Sequence, residues 1–308
     1  MQLHFGVDLL LPEWSGCVAC IGTFDGVHLG HKALLAAAHE DAIRHELPSV
    51  VVTFDRHPAA VLNPSRKPPS LASLEQNLAE FEKSGAAMAL VLPFDERMAA
   101  TTATDFLENV LRSPLRAAKL VVGHDFAMGH GREGTAQWLS ERIPTVIHQP
   151  VAVESQRVSS TAIRKAVAAG NVGLAHRMLD RPYSLGGVVV SGMKLGRTLG
   201  YPTANIARTN DQVVPANGIY AGQLKTKNGI FRAAISVGVR PAVQGKHRTV
   251  EAYLIDFPGG SLYGDAVECE FWVRLRDELD FPTLDELKKQ IAADVSVVSS
   301  VPMVGLPR

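Results

Sequence analysis

The chain is 308 residues long and 46% apolar, with 31 Lys and Arg balancing 31 Asp and Glu. That length predicts two domains at about 150 residues each, and the zero net charge leaves no basic footprint for nucleic acid or an anionic membrane surface. No apolar run approaches the ~18 residues of a membrane helix, and residues 1–6 lack the basic start and apolar stretch of a signal peptide, so a cytoplasmic protein is expected.

The first predicted element is an apolar strand over 16–21. Cys17 and Cys20 spell C-x-x-C within it. Side chains three apart on a strand point to opposite faces, so buried, inert thiols are expected rather than a redox or metal pair. The strand runs into Gly22-Thr23-Phe24-Asp25-Gly26-Val27-His28-Leu29-Gly30-His31 and then an Ala- and Leu-rich helix from Lys32. Strand, glycine-bearing turn, helix start is the geometry in which free backbone N–H groups meet a phosphate. Gly22 and Gly26 allow close approach of the main chain, and His28 and His31 share a face of the first turn. A zinc site would need a third and usually a fourth ligand, and no further His, Cys or Asp cluster lies nearby in the sequence. Phosphate chemistry is therefore the expectation.

Further strands are predicted at 49–54, 87–92, 119–123 and 145–150, with helices at 74–84 and 104–111. Near-continuous apolar strands alternating with helices predict a parallel sheet covered on both faces. Ligands on such sheets bind outside the carboxyl ends of the strands, at a topological switch point. The 22–31 loop, Asp55 to His57 and Gly123 to Asp125 fall at such ends. Gly129-His130-Gly131-Arg132-Glu133-Gly134 spells G-x-G-x-x-G with Glu154 downstream, but a dinucleotide fingerprint directly follows a strand and this one does not. Next, Ser159-Ser160-Thr161-Ala162-Ile163-Arg164 opens a helix that Gly170 ends. A capped helix requires nothing more, yet free N–H groups, three hydroxyls and Arg164 one turn in also suit an anion, with the guanidinium forking onto phosphate oxygens.

After a short helix over 172–179, composition shifts near Arg181 to short β-rich runs with glycine turns at 187–191, 218–224, 231–237, 250–256 and 266–273. This predicts an all-β barrel or sandwich over 182–308, following an α/β domain over 1–181. Gly192, Gly196 and Gly200 frame Lys194, Arg197 and Thr198, a cationic loop suited to phosphate. Pro202-Thr203-Ala204-Asn205 follows, with two neutral side-chain oxygens on one strand face. Glu251 lies in an otherwise apolar strand, where a half-buried carboxylate suits a general base; an outward-facing strand glutamate is the alternative. A terminal helix over 284–291 carries Thr283 and Glu286 as a capping box. Residues 296–308 show no periodicity and read as a loosely held tail.

These motifs, in this order, resemble the bifunctional bacterial riboflavin kinase/FAD synthetase family over roughly residues 15–295. His28 to His31 is similar to the HxGH loop of nucleotidyltransferases, S-S-T-x-I-R to that family's second ATP-phosphate motif, and Pro202 to Asn205 to the PTAN of riboflavin kinases. Thr53 to Pro58 and Val121 to Phe126 extend the match. The resemblance implies a Rossmann-like nucleotidyltransferase domain with a parallel sheet, then a riboflavin-kinase-type β-barrel with a terminal helix. It implies that the barrel phosphorylates riboflavin to FMN with ATP and Mg²⁺, and that the first domain joins AMP to FMN, giving FAD and pyrophosphate. Gly22, Phe24, Asp25, Gly26, His28, His31, Ser159, Ser160, Thr161 and Arg164 would then hold ATP for adenylylation, the histidines as catalytic charge stabilisers, while His57 and Asp125 meet the flavin. Gly192, Lys194, Gly196, Arg197, Thr198, Thr203 and Asn205 would hold ATP in the kinase, Thr203 and Asn205 with the Mg²⁺. Glu251 would take the proton of the ribityl 5′-hydroxyl, and Arg276, Glu278 and Phe281 would line the flavin pocket. Both steps are direct displacements at phosphorus, without a covalent enzyme intermediate.

His124, Met128 and Arg56 depart from the family's commoner residues beside the adenylylation site. A kinase with weak or lost adenylyltransferase activity, or a non-catalytic flavin-binding protein, is accordingly the alternative. The expected partners are riboflavin, FMN and ATP, without nucleic acid or membrane; oligomeric state is left open.

Overall fold

The apolar runs of the first half become a parallel six-stranded sheet. Its strands are β1 (Gln2–Phe5), β2 (Cys17–Ile21), β3 (Ser49–Phe54), β4 (Met88–Leu92), β5 (Ala117–Gly123) and β6 (Thr145–His148), in the order β1-β4-β3-β2-β5-β6. The computed structural model describes residues 1–8, 13–192, 195–242 and 245–302, in two compact units, Met1–Ser160 and Thr161–Arg308. The order reverses at β2, which has β3 on one side and β5 on the other. That is the predicted switch point.

β2 and β4 are buried throughout and β3 nearly so, as strands covered on both faces must be. On one face Cys17, Ala19 and Ile21 pack with Leu107, Leu111 and Leu139; on the other Val18 and Cys20 pack with Leu35 and Phe81. The two cysteines thus point apart, and burial pushes the Cys17 thiol up to about 12 and raises that of Cys20 as well. Helix α1 (Leu29–Arg44) covers β2, β3 and β5. Helix α2 (Leu74–Lys83) starts from a complete Ser73/Gln76 capping box and buries Phe81. The predicted helix at 104–111 forms as one α-turn, Ala103–Phe106, continuing into a π-helical stretch, Leu107–Arg112. Strand β1 is not predicted by the apolar pattern. It pairs with β4 at the sheet edge, from Gln2↔Met88 to Phe5↔Val91, with Leu3 and Phe5 exposed.

Helix α3 (Ser160–Ala168), in the second unit from Thr161 on, ends before Gly170, whose φ is +79°, and α4 (Val172–Leu179) is capped by Asn171. The compact units therefore part at Ser160, upstream of the compositional change at Arg181. Six antiparallel strands follow: β7 (Tyr183–Val190), β8 (Thr203–Arg208), β9 (Gly218–Thr226), β10 (Gly229–Ala242), β11 (Gly245–Leu254) and β12 (Ala266–Arg276). They close a barrel in the order β7-β8-β11-β10-β9-β12, filled by side chains such as Leu185, Tyr220, Ile235, Val250, Ala252 and Phe271. α4 packs on β7 and β12. Helix α5 (Leu284–Ser300) packs on β9 and β10, and Thr283 Oγ1 accepts the Glu286 N–H at 3.3 Å.

The expected tail from 296 is corrected by α5, which continues to Ser300 and buries Val298 completely. Its inward stripe passes through Asp294, a polar residue that hides the apolar period. Arg276 makes that carboxylate tolerable inside, donating Nε to Oδ1 at 3.0 Å and Nη2 to Oδ2 at 2.6 Å. Arg232 closes the helix end by donating to the carbonyls of Val298, at 2.9 Å, and Ser299. Residues 303–308 lie outside the described residues.

Candidate active sites

β2 delivers the chain into a turn whose backbone is strained. Phe24 and Val27 hold φ of 47° and 36°, left-handed values that cost a residue with a Cβ about 1–2 kcal/mol. Such conformations persist where the surroundings over-determine them, and here they do. Buried Asp25 accepts the N–H of Leu71 at 2.8 Å and of Ala72 at 3.4 Å. Gly26 N–H donates to Asn77 Oδ1 at 3.2 Å, and the Ser160 hydroxyl donates to the Asp25 carbonyl at 3.0 Å. Phe24 is fully buried, edge-on to Phe81 and His31.

His28 caps α1, its Nδ1 accepting the His31 N–H at 3.3 Å. The two imidazoles stack with centroids 3.6 Å apart and planes 13° apart. A Cβ on residue 30 would lie 3.1 Å from His28 Cε1, so Gly30 is what lets that ring lie over the helix start. Burial, and after it the neighbouring His28, hold the His31 pKa well below the usual imidazole range. His31 Nδ1 is buried without a protein hydrogen-bond partner. The pair thus presents imidazole beside the N–H groups of a helix N-terminus, an arrangement that suits phosphate oxygens.

This loop lines part of a cleft of about 760 Å³, within the range of small-molecule sites. Phe54, Leu62, Phe94, Met98 and Phe126 supply apolar lining, and Ser159 and Ser160 lie on the same cleft as the two histidines. His124, Arg132, His148 and Arg157 add cationic or cationisable groups. Asp125, also on the lining, pairs with Arg157 at 2.6 Å. His148 and Arg157 belong to no contiguous motif and are not found by sequence reading, and Arg132 is met there only within the G-x-G-x-x-G stretch; chain segments far apart bring them to one cleft. The G-x-G-x-x-G stretch is a short 3-10 turn, His130–Arg132, between two-residue strands, which is not a dinucleotide loop.

Not every expected residue sits on the cleft. At the end of β3 the lining is Phe54 and Pro58, while His57 Nδ1 accepts the Ala59 N–H at 3.1 Å. Thr161 and Arg164 stand on α3, in the second compact unit. Of the unusual residues, His124 and Met128 line the cleft, whereas Arg56 grips Asp55 at 2.7 Å. Burial would raise the Asp55 pKa, but that grip and the Phe94 N–H bring it below the usual carboxylate value.

In the barrel, Val250, Ala252 and Leu254 point into the core, so Glu251 and Tyr253 face away from it. Across the ladders Glu251 lies opposite Asn205 on β8 and Ser236 on β10. Thr203, two residues from Asn205, donates its hydroxyl to Glu251 Oε2 at 3.2 Å. Three strands thus place two neutral oxygens, a carboxylate and the Ser236 hydroxyl on one face. Ser236 carries no sequence signal, because only register brings it there. Gly192 lies against this row: a Cβ there would come 2.4 Å from Asn205 Nδ2. Gly196, Arg197 and Thr198 form a short helical turn, Leu195–Thr198, and Lys194 lies outside the described residues.

The residues expected to line the flavin pocket make contacts of their own. Arg276 is committed to Asp294, as described above. Glu278 accepts Asn217 Nδ2 at 2.9 Å, and Asn217 Oδ1 in turn accepts from Arg248 at 3.0 Å. Phe281 is half-buried ahead of α5.

Two family models match the chain: FAD synthetase over residues 11–162 and riboflavin kinase over residues 179–301. The chain is 37% identical to the bifunctional riboflavin kinase/FMN adenylyltransferase of Haemophilus influenzae, over 97% of this chain and 99% of that one. It is 37% identical to the protein of that name from Escherichia coli K12, over 96% of each chain, and 31% identical to that from Bacillus subtilis, over 93% and 92%. A crystal structure from Streptococcus pneumoniae, named as a macrolide-efflux protein, matches with a TM-score of 0.89 at 29% identity, over 98% of this chain and 100% of that chain. Among the described residues here, no helix is long and apolar enough to cross a membrane. With both models matched in the order in which the two sites occur, and with 37% identity over nearly the whole length, the chain belongs to the bifunctional riboflavin kinase/FMN adenylyltransferase family.

Proposed function

We propose that the chain makes FAD in two steps at two sites: riboflavin and ATP give FMN and ADP at the barrel, and FMN and a second ATP give FAD and pyrophosphate at the cleft. The observation that carries the kinase half is Glu251, set in register with Asn205 and bonded to Thr203. Glu251 accepts the proton of the ribityl 5′-hydroxyl as its oxygen bonds to the γ-phosphorus and ADP leaves. Arg197 and Thr198 steady the ATP phosphates. Thr203 and Asn205 fit Mg²⁺, a hard cation that takes oxygen ligands and keeps phosphates and waters in its shell; when bound, it offsets charge on the phosphates. Among the described residues no trio of His, Cys, Asp or Glu offers a competing metal site.

In the cleft, the FMN phosphate oxygen attacks the α-phosphorus of ATP as the bond to the β-phosphate oxygen breaks. His28, His31 and the α1 N-terminus stabilise the charge that develops, with Ser159 and Ser160 on the remaining phosphates. The apolar lining of Phe54, Phe94 and Phe126 suits a flat flavin ring, with Asp125 beside it. The division of labour lies near Arg181, supported by family models that end at 162 and begin at 179. We place the enzyme in the cytoplasm, where its co-substrate ATP is made.

Incubation with riboflavin, ATP and Mg²⁺, with flavins separated by chromatography over time, tests the proposal. FMN should rise first and FAD follow. FMN that accumulates without FAD would refute the adenylylation half, and unchanged riboflavin would refute the kinase half.

A further inference from the structure

The barrel face that carries Glu251 also holds an aromatic pair that no motif accounts for. Tyr253 lies opposite Thr203 in the β8–β11 ladder and two residues from Glu251, so it shares their face. Its ring meets that of Tyr201 edge to face, centroids 5.2 Å apart and planes at 76°, and both residues are half-buried. Tyr201 in turn holds the Leu195–Thr198 turn. Its N–H donates to the Gly196 carbonyl at 2.7 Å, and Gly200 N–H donates to the Arg197 carbonyl at 3.2 Å. The fit is close, since a Cβ on Gly196 would fall 2.4 Å from the Tyr201 carbonyl oxygen and 3.6 Å from Thr203 Cγ2. A continuous chain of contacts therefore runs from the β11 ladder through two rings to the turn that carries Arg197 and Thr198.

We propose that Tyr253 is a positioning residue of the kinase site. By holding Tyr201 it presets the Leu195–Thr198 turn beside the Thr203–Glu251 row, so that the turn is ordered before ATP arrives. This rests on assigning that row to the kinase. A preset turn loses less conformational freedom on binding. Removing the latch therefore raises KM for ATP and leaves kcat nearly unchanged, because the latch acts on the turn and leaves Glu251 in its register.

The test is steady-state riboflavin phosphorylation with varied ATP for Tyr253→Leu, Tyr201→Leu, the double variant and Tyr253→Phe. Each single leucine variant should raise KM for ATP about two- to tenfold, the worth of an aromatic pair. The double variant should be no worse than either single one, since both remove the same contact. Tyr253→Phe keeps the ring edge and should match the parent. Conversion of supplied FMN to FAD by the same preparations should be unchanged, and an unchanged kcat for riboflavin phosphorylation reports that the barrel is folded. An unchanged KM in the leucine variants, multiplicative losses in the double, or a Tyr253→Phe defect equal to that of Tyr253→Leu would each overturn the latch. Should Tyr253→Leu fail to fold, Tyr201→Leu still decides, because Tyr201 lies outside the ladder. Glu251→Gln in the same assay separates the two claims. Normal phosphorylation by that variant would remove the row from the kinase, whereas its failure beside normal leucine variants would sink the latch alone.

Discussion

The two proposed sites, the cleft of the first unit and the outer face of the barrel, are assembled by different structural means. At the cleft, Gly22 to His31 supply a turn, a helix start and two stacked imidazoles from one contiguous stretch. On the barrel, Thr203 and Glu251 are 48 positions apart and meet only because β8 and β11 pair in one register. The first site depends on a few backbone angles and a cap. The second depends on a ladder, where a slip of one residue would turn Glu251 into the core. The difference teaches that a local site is readable from its spelling, whereas an assembled one is readable only in part.

Substitutions that separate the two sites give this comparison its sharpest test. The largest effect is expected from Glu251→Gln, which keeps size and removes the base: riboflavin phosphorylation should fall about 10²–10⁴-fold, while supplied FMN still becomes FAD. His28→Ala combined with His31→Ala should do the reverse, lowering FAD formation about 10²–10³-fold and letting FMN accumulate from riboflavin. If both variants damaged both conversions, one site would serve both steps and the comparison would collapse.

The smallest effect on activity is expected from Arg276→Ala. Its guanidinium is bound to Asp294 in this structure, so urea unfolding should show a loss of about 1.5–3 kcal/mol with little change in KM for riboflavin. Unchanged stability with a raised riboflavin KM would restore Arg276 to the flavin pocket.

The amino-acid sequence by itself determined the two-part architecture, the parallel sheet, the opposed faces of Cys17 and Cys20, and the turn into a helix start that follows β2. Apolar period, glycine position and helix propensity act between near neighbours, and near neighbours are what a sequence displays. Tertiary structure alone decided the rest. β1 has no apolar run to announce it, because it is an exposed edge strand held by pairing with β4. The last turns of α5 were hidden because Asp294 takes an inward place that only Arg276, on another element, makes tolerable. Arg157 became a cleft residue through contacts that no spacing encodes. Ser236 joined Glu251, and Tyr253 met Tyr201, because strands distant in the chain settle their register by which faces they bury against the core. That choice is made by the folded barrel as a whole, and no single stretch of the chain contains it.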